Sequence, residues 1–219
     1  MKKIMLLMLL ISFAPGCHRI HSGIAGSGKI QRQKREVASF SSISTEGAFD
    51  VEVVCQKPQS LEIQGDDNIL PLISTEVSNN VLRIRNRSDY SVSEPITLKI
   101  AVPNLEGLSV SGAGTLAVSG VKNEKLEIDA SGAPAIKVSG ETKVFDVDTS
   151  GAGKIDAHKL KAARAVVNSK GVSRVEVFAA EKLDVTISGP SHVIYEGDPV
   201  VKQTINGPGS IEKRQSQGS

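Results

Sequence analysis

A short motif returns at a nearly constant interval through the second half of the chain, and it restricts the fold more than any other feature. Ser111-Gly112-Ala113-Gly114, Ser131-Gly132-Ala133-Pro134 and Ser150-Gly151-Ala152-Gly153 are followed by Ser169-Lys170-Gly171, Ser188-Gly189-Pro190 and Asn206-Gly207-Pro208-Gly209. Counted from the Ser or Asn, the steps are 20, 19, 19, 19 and 18 residues. A fixed period in this range is the signature of a solenoid, whose repeats cannot bury their apolar face alone and become stable by stacking.

Two interior columns can be read down the repeat. One runs Val110, Ala130, Thr149, Asn168, Ile187, Ile205, with Leu108, Ile128, Val147, Val166 and Val185 two residues earlier in each copy. The other runs Leu116, Ile136, Ile155, Val175, Val193, Ile211. Each rung therefore supplies at least two short strands, which stack about 4.8 Å from their counterparts. A sharp corner between them needs positive φ, which glycine adopts without a Cβ clash; Gly112, Gly132, Gly151, Gly171, Gly189 and Gly207 fill that role. The residue before each, Ser111, Ser131, Ser150, Ser169, Ser188 or Asn206, is expected to bond its side chain to the turn backbone. The fold class expected is all-β, a parallel β-helix or β-solenoid with rungs of about 18–20 residues.

Upstream of Pro103 the pattern is less regular. Phe49-Asp50-Val51-Glu52-Val53, Leu61-Glu62-Ile63, Val81-Leu82-Arg83-Ile84 and Ile96 to Val102 alternate as half-buried strands do. Asn79-Asn80 suits a tight hairpin, so the N-terminal strands are expected to be partly antiparallel. A short helical turn is expected around Ile69, Leu70 and Ile73, limited by Pro71.

The first residues read as a targeting segment. Lys2 and Lys3 precede an apolar run from Ile4 to Phe13 that is too short to span a bilayer. It ends in Phe13-Ala14-Pro15-Gly16-Cys17, which resembles the lipobox of bacterial lipoproteins. The expectation is a signal peptide over 1–16, lipid attachment at Cys17, a flexible tether over 17–34, a solenoid domain over 35–213 and a polar tail over 214–219. Each buried methylene of an acyl chain contributes about 0.8 kcal/mol to membrane attachment, so a lipidated Cys17 would anchor the chain. His18 after the cysteine favours an exported protein at the outer membrane of the cell envelope. Cys55, on an alternating run with Val51 and Val53, reads as a buried thiol; pairing with Cys17 is the alternative if Cys17 carries no lipid.

Composition narrows the function. A formal charge of +2 and seven aromatics, five Phe and two Tyr, give neither the basic patch nor the stacking platforms of a nucleic-acid binder. The expected partners are the membrane, through Cys17, and an envelope or extracellular polysaccharide or protein; oligomeric state is open. The one carboxylate pair at rung spacing is Asp129 with Asp148. Paired carboxylates near 5 Å suit a retaining glycosidase or a cation, but Glu127 and Asp146 share their strands, which is the pattern of a solvated face. His18, His21, His158 and His192 form no metal-ligand spacing. The expectation is a non-catalytic surface for adhesion or ligand binding, with no catalytic residue, cofactor or metal; the alternatives are a polysaccharide-acting β-helix enzyme using Asp129 and Asp148, and a structural envelope protein that self-associates.

The series Phe40, Ile43, Gly47, Val51, Val53, Leu61, Ile63, Asp67-Asn68, Leu82, Ile84, Ile100, Val102-Pro103, Leu105, Leu108, Ser111-Gly112-Ala113-Gly114 resembles the auto-transporter adhesin, head GIN domain family of bacterial surface proteins over about residues 35–213. The resemblance implies a right-handed β-helix-like fold, often on a lipoprotein, in a family without an established enzymatic activity. The later corners depart from the family pattern: Lys170 stands as an insertion before Gly171, and Pro190 and Pro208 replace a small residue.

Overall fold

The computed structural model describes residues 23–214, so Cys17, His18, His21, the targeting segment and residues 215–219 lie outside it. Those residues form a β-solenoid in which every full turn is built alike. A strand on a first sheet runs into a corner, a second strand leaves the corner on a second sheet, and a short third side leads back to the first. Residues 125–132 lie on the first sheet between 107–112 and 144–151, parallel and in register. Residues 135–137 lie on the second sheet between 115–117 and 154–156, and 140–142 form the third side beside 160–162.

Alternation sets which side chains enter the core. Leu126, Ile128 and Ala130 are buried while Glu127 and Asp129 point out. Down one inner column Leu126, Phe145, Ala165, Leu183 and Val201 are stacked. The bulky Phe145, 0% exposed, is next to the small Ala165, 1% exposed, the large-against-small fit that close packing favours. Burying a phenylalanine contributes about 1.5–3 kcal/mol.

The register corrects one reading of the repeat. Asp148 pairs with Asn168, Thr149 with Ser169, Ser150 with Lys170 and Gly151 with Gly171. Ser169, 1% exposed, therefore holds the interior position expected for Asn168, Val167 replaces Val166 above Val147, and Lys170 holds the corner position expected for Ser169. Lys170 is no insertion at the corner. The extra residue enters earlier, at the bend where Lys137 pairs with Asp156 but Ser139 with Lys159, a bulge around Ala157-His158 that lengthens this rung by one.

At its start the chain does not climb the coil in sequence order. Ser42–Glu46 and Phe49–Cys55 form one turn around Gly47. Val81–Asn86 and Ile96–Val102 stack beneath it in parallel, and Gly107–Gly112 with 115–119 stack above. The earliest turn is thus enclosed between two later ones. Antiparallel strands close this end: Ile73–Ser78 pairs with Val81–Asn86 through Asn79-Asn80, both at positive φ, and Ser60–Asp66 pairs with Ile96–Val102. The expected helical turn is the short 3-10 segment Leu70–Leu72.

The cap also takes in much of the expected tether. Ile30–Lys34 pairs antiparallel with Ser60–Asp66, and Ile24–Ala25 pairs parallel with Tyr90–Ser91. The Arg35 guanidinium, just beyond, donates to the carbonyls of Leu70 at 2.8 Å and Ile73 at 2.6 Å. Residues 31–34 are polar because their strand lies on the outside of the cap, and residues 30–34 satisfy backbone groups that Ser60–Asp66 would otherwise leave open. At the opposite end, among the described residues, Val200–Asn206 and Ser210–Lys213 pair only with the turn below. Among the described residues no helix is long and apolar enough to cross a membrane.

Candidate functional site

The corners form a column on the rim of the first sheet. Gly112, Gly132, Gly151, Gly171, Gly189 and Gly207 have φ of 132°, 86°, 123°, 122°, 117° and 124°. Gly47, at φ 129°, begins the same column: a Cβ on Gly112 would stand 2.3 Å from the Gly47 carbonyl oxygen. Backbone bonds run rung to rung through the corners, Ala133 N donating to Gly112 O at 2.8 Å and Ala152 N to Gly132 O at 2.7 Å. The hydroxyls contribute less than the sequence suggests. Ser131 reaches the Val110 carbonyl at 3.4 Å, while Ser111, Ser150 and Asn206 are exposed and Ser188 is half-buried. The hydroxyl network lies inside instead, where Ser169 bonds Ser173 at 2.6 Å and Ser191 at 2.7 Å. Its signal in the sequence is positional, because Ser173 and Ser191 occupy the offset after the corner glycine that Gly114 and Gly153 occupy earlier.

The outer face of the first sheet carries a groove of about 610 Å³. It arises where Gly107 stands in a column continued by Glu127 and Asp146, so one position of the sheet surface has no side chain. Asn104 and Glu106 form one wall, held by Ser41 Oγ donating to Glu106 at 2.9 Å and Asn104 Nδ2 donating to Glu106 at 3.0 Å. Ser42, Ser109, Asn123, Glu124, Lys125, Glu127 and Asp129 line the rest over Ile43, Val81 and Leu108. The Oδ1 of Asn104 is buried without a partner among the described residues. Asn123 is anchored beneath by its Nδ2 on Leu105 O and by Thr142 Oγ1 at 2.6 Å.

Asp129 and Asp148 are direct cross-strand partners. Burial, then the charges of Glu127 and Asp148, raises the Asp129 carboxyl above its ordinary range. Lys125 bridges Glu127 at 3.1 Å and Asp146 at 2.8 Å, and these carboxylates, Asp146 first, hold its ammonium above the usual lysine range. Beyond Asp129 a shallow depression reaches Ser131, Asp148, Ser150 and Lys170. Acceptors exceed donors along this face, which suits a ligand rich in hydroxyls or amines. Asp129 and Asp148 are marked in the sequence by their spacing, whereas Ser42, Asn104, Glu106 and Asn123 are not; the interruption Pro103-Asn104-Leu105-Glu106-Gly107 after a clear strand is their available sign.

A second cluster is electrostatically closed. Asp156, His158 and Glu176 bring ligand atoms within 4.8 Å of one another. However, Arg174 Nε donates to one Glu176 oxygen at 3.0 Å, Arg214 takes the other, and Arg214 also pairs with Glu196 at 2.8 Å. Two guanidinium groups on one carboxylate oppose a further cation, and His158 is bonded to Asp156. His158 is therefore part of a bonded, half-buried cluster rather than an isolated surface residue, and His192 bonds Ser210 and, at 3.0 Å, Glu212. Cys55 is 3% exposed, and burial pushes its thiol up to about 11.

A sequence model described as "Putative auto-transporter adhesin, head GIN domain" matches residues 39–199. The chain belongs to this family. A comparison with curated proteins finds no match. Among solved structures, one described as a putative adhesin from Bacteroides fragilis NCTC 9343 is 23% identical with a TM-score of 0.72, covering 88% of this chain and 100% of its own. One described as a putative lipid binding protein from Parabacteroides distasonis ATCC 8503 is 21% identical, with a TM-score of 0.54 over 88% and 99% of the two chains. One described as a putative adhesin from Parabacteroides merdae ATCC 43184 is 18% identical, with a TM-score of 0.59 over 88% and 99%. These structures share the fold.

Proposed function

We propose that this head GIN domain protein is a non-catalytic, exported lipoprotein of the bacterial cell envelope. Lipidated Cys17 holds it at the outer membrane, and the groove bounded by Asn104, Glu106 and Asp129 binds an envelope or extracellular polysaccharide. The observation that carries this reading is the groove itself: an acceptor-rich notch, walled by Asn104 and Glu106, on a parallel sheet. Sugar hydroxyls are donors of the kind such a notch satisfies. The acidic rim favours them over acyl chains, even though one neighbour is described as lipid binding. Envelope location follows the family, and the anchor follows Gly16-Cys17.

Two experiments on the full-length protein test this. Labelling cells with a palmitate analogue should mark the wild type and leave Cys17→Ser unmarked; equal labelling of both removes the anchor. A glycan array probed with detergent-solubilised protein should show polysaccharide binding weakened by Glu106→Gln with Asp129→Asn. Capture of a protein component in its place, or shortening of the glycan by wild type and not by Asp129→Asn with Asp148→Asn, replaces this reading with a protein-binding or a hydrolytic one.

A further inference from the structure

The last strand of the first sheet has an open side. Val200–Asn206 pairs with 182–188 on one edge and with nothing on the other among the described residues. All seven of its residues are exposed, including Val200 at 75%, Val201 at 36% and Ile205 at 37%. A strand of this length without proline is a template for another strand.

The strand's own sequence indicates the occupant. Val201, Gln203 and Ile205 stand over Leu183, Val185 and Ile187 and share their inward face, while Lys202 and Thr204 face out. Antiparallel pairing with a second copy, about a two-fold axis at Gln203, sets Val201 opposite Ile205 twice and Lys202 opposite Thr204 twice. Inner face continues into inner face, and no charge meets a like charge. Gln203 is polar in a column otherwise formed by Leu108, Ile128, Val147, Val167 and Val185. On the axis its amide meets the same amide of the second copy, which can donate and accept at once.

The geometry points to a two-fold homodimer in which the Val200–Asn206 strands of two copies pair antiparallel and join their solenoids end to end. Sedimentation of the full-length protein in detergent across a concentration series tests it. Wild type should shift from monomer to dimer. Thr204→Lys sets a lysine opposite Lys202 at two places and should weaken association roughly two- to thirtyfold at low salt, whereas Thr204→Glu should strengthen it by a similar factor. Both changes are on the outward face of the monomer, and circular dichroism of each variant checks that it is folded. In a Cys17→Ser background, Gln203→Cys should cross-link across the axis under mild oxidation, since antiparallel partners lie about 4.5–5.5 Å apart at Cα. A monomer at all concentrations, equal effects of the two Thr204 variants, or no cross-link at position 203 overturns the proposal.

Discussion

Replacing Gly151 with alanine separates the two forces that hold the corners. Gly151 has φ 123°, and its Cβ would stand 2.3 Å from the Gly132 carbonyl oxygen of the turn below. A side chain at that φ costs about 1–3 kcal/mol. Relieving the clash moves backbone, which breaks the 2.7 Å bond from Ala152 N to Gly132 O and costs roughly a further 0.5–1.5 kcal/mol. The sum, about 1.5–4.5 kcal/mol, lowers Tm by roughly 3–18 °C for a domain of this size. Two controls divide the effect. Gly28→Ala meets nothing within 4 Å but keeps φ at 75°, so it reports backbone strain alone, about 1–2 kcal/mol. Gly114→Ala has no positive φ, but its Cβ would lie 2.3 Å from Phe49 O, so it reports the clash. Urea unfolding followed by circular dichroism should rank Gly151→Ala as the most damaging of the three. A Gly151→Ala loss no larger than that of Gly28→Ala refutes the close stacking of corners.

Other consequences are simpler to check. Peptide mapping after alkylation should find Cys55 unmodified in the native protein and modified in denaturant, because its thiol is buried and held near 11. Arg214→Ala leaves one oxygen of the buried Glu176 without its partner, and should cost about 1–3 kcal/mol and speed hydrogen exchange in 192–213 before the rest. Asp129 has a raised carboxyl pKa, so its contribution favours the fold below the ordinary carboxylate range and is lost as pH rises through the raised value. Asp129→Asn should then stabilise by roughly 0.2–1 kcal/mol at pH 7, with the gain shrinking in acid and in high salt; a loss at pH 7 contradicts this.

The regular part of the solenoid was legible because period and alternation are local signals. Leu116, Ile136, Ile155, Val175, Val193 and Ile211 do stack in one inner column, 19 or so residues apart. The slip at Asn168 came from a bulge at Ala157-His158 that no corner motif reveals, since Ser169 imitates the corner serine one residue early. The enclosed turn at 42–55 was hidden for a different reason: its partners lie far along the chain, and which parallel strands pair is decided by stacking rather than by neighbours in sequence. Ile30–Lys34 read as linker because an outer cap strand shows water a polar surface. Asp129 could be found by its spacing from Asp148. Its wall at Asn104 and Glu106 depends on a missing side chain, at Gly107, which composition does not mark.

The central claim, that the groove is the binding surface, is tested by filling it. Ser109 and Thr186 stand in the same outward column, with Asp129, Asp148 and Asn168 between them, but only Ser109 lines the groove. Isothermal titration of the full-length protein with the polysaccharide it captures should show binding abolished by Ser109→Trp and retained by Thr186→Trp, with both variants folded. Undiminished binding by Ser109→Trp would contradict the account.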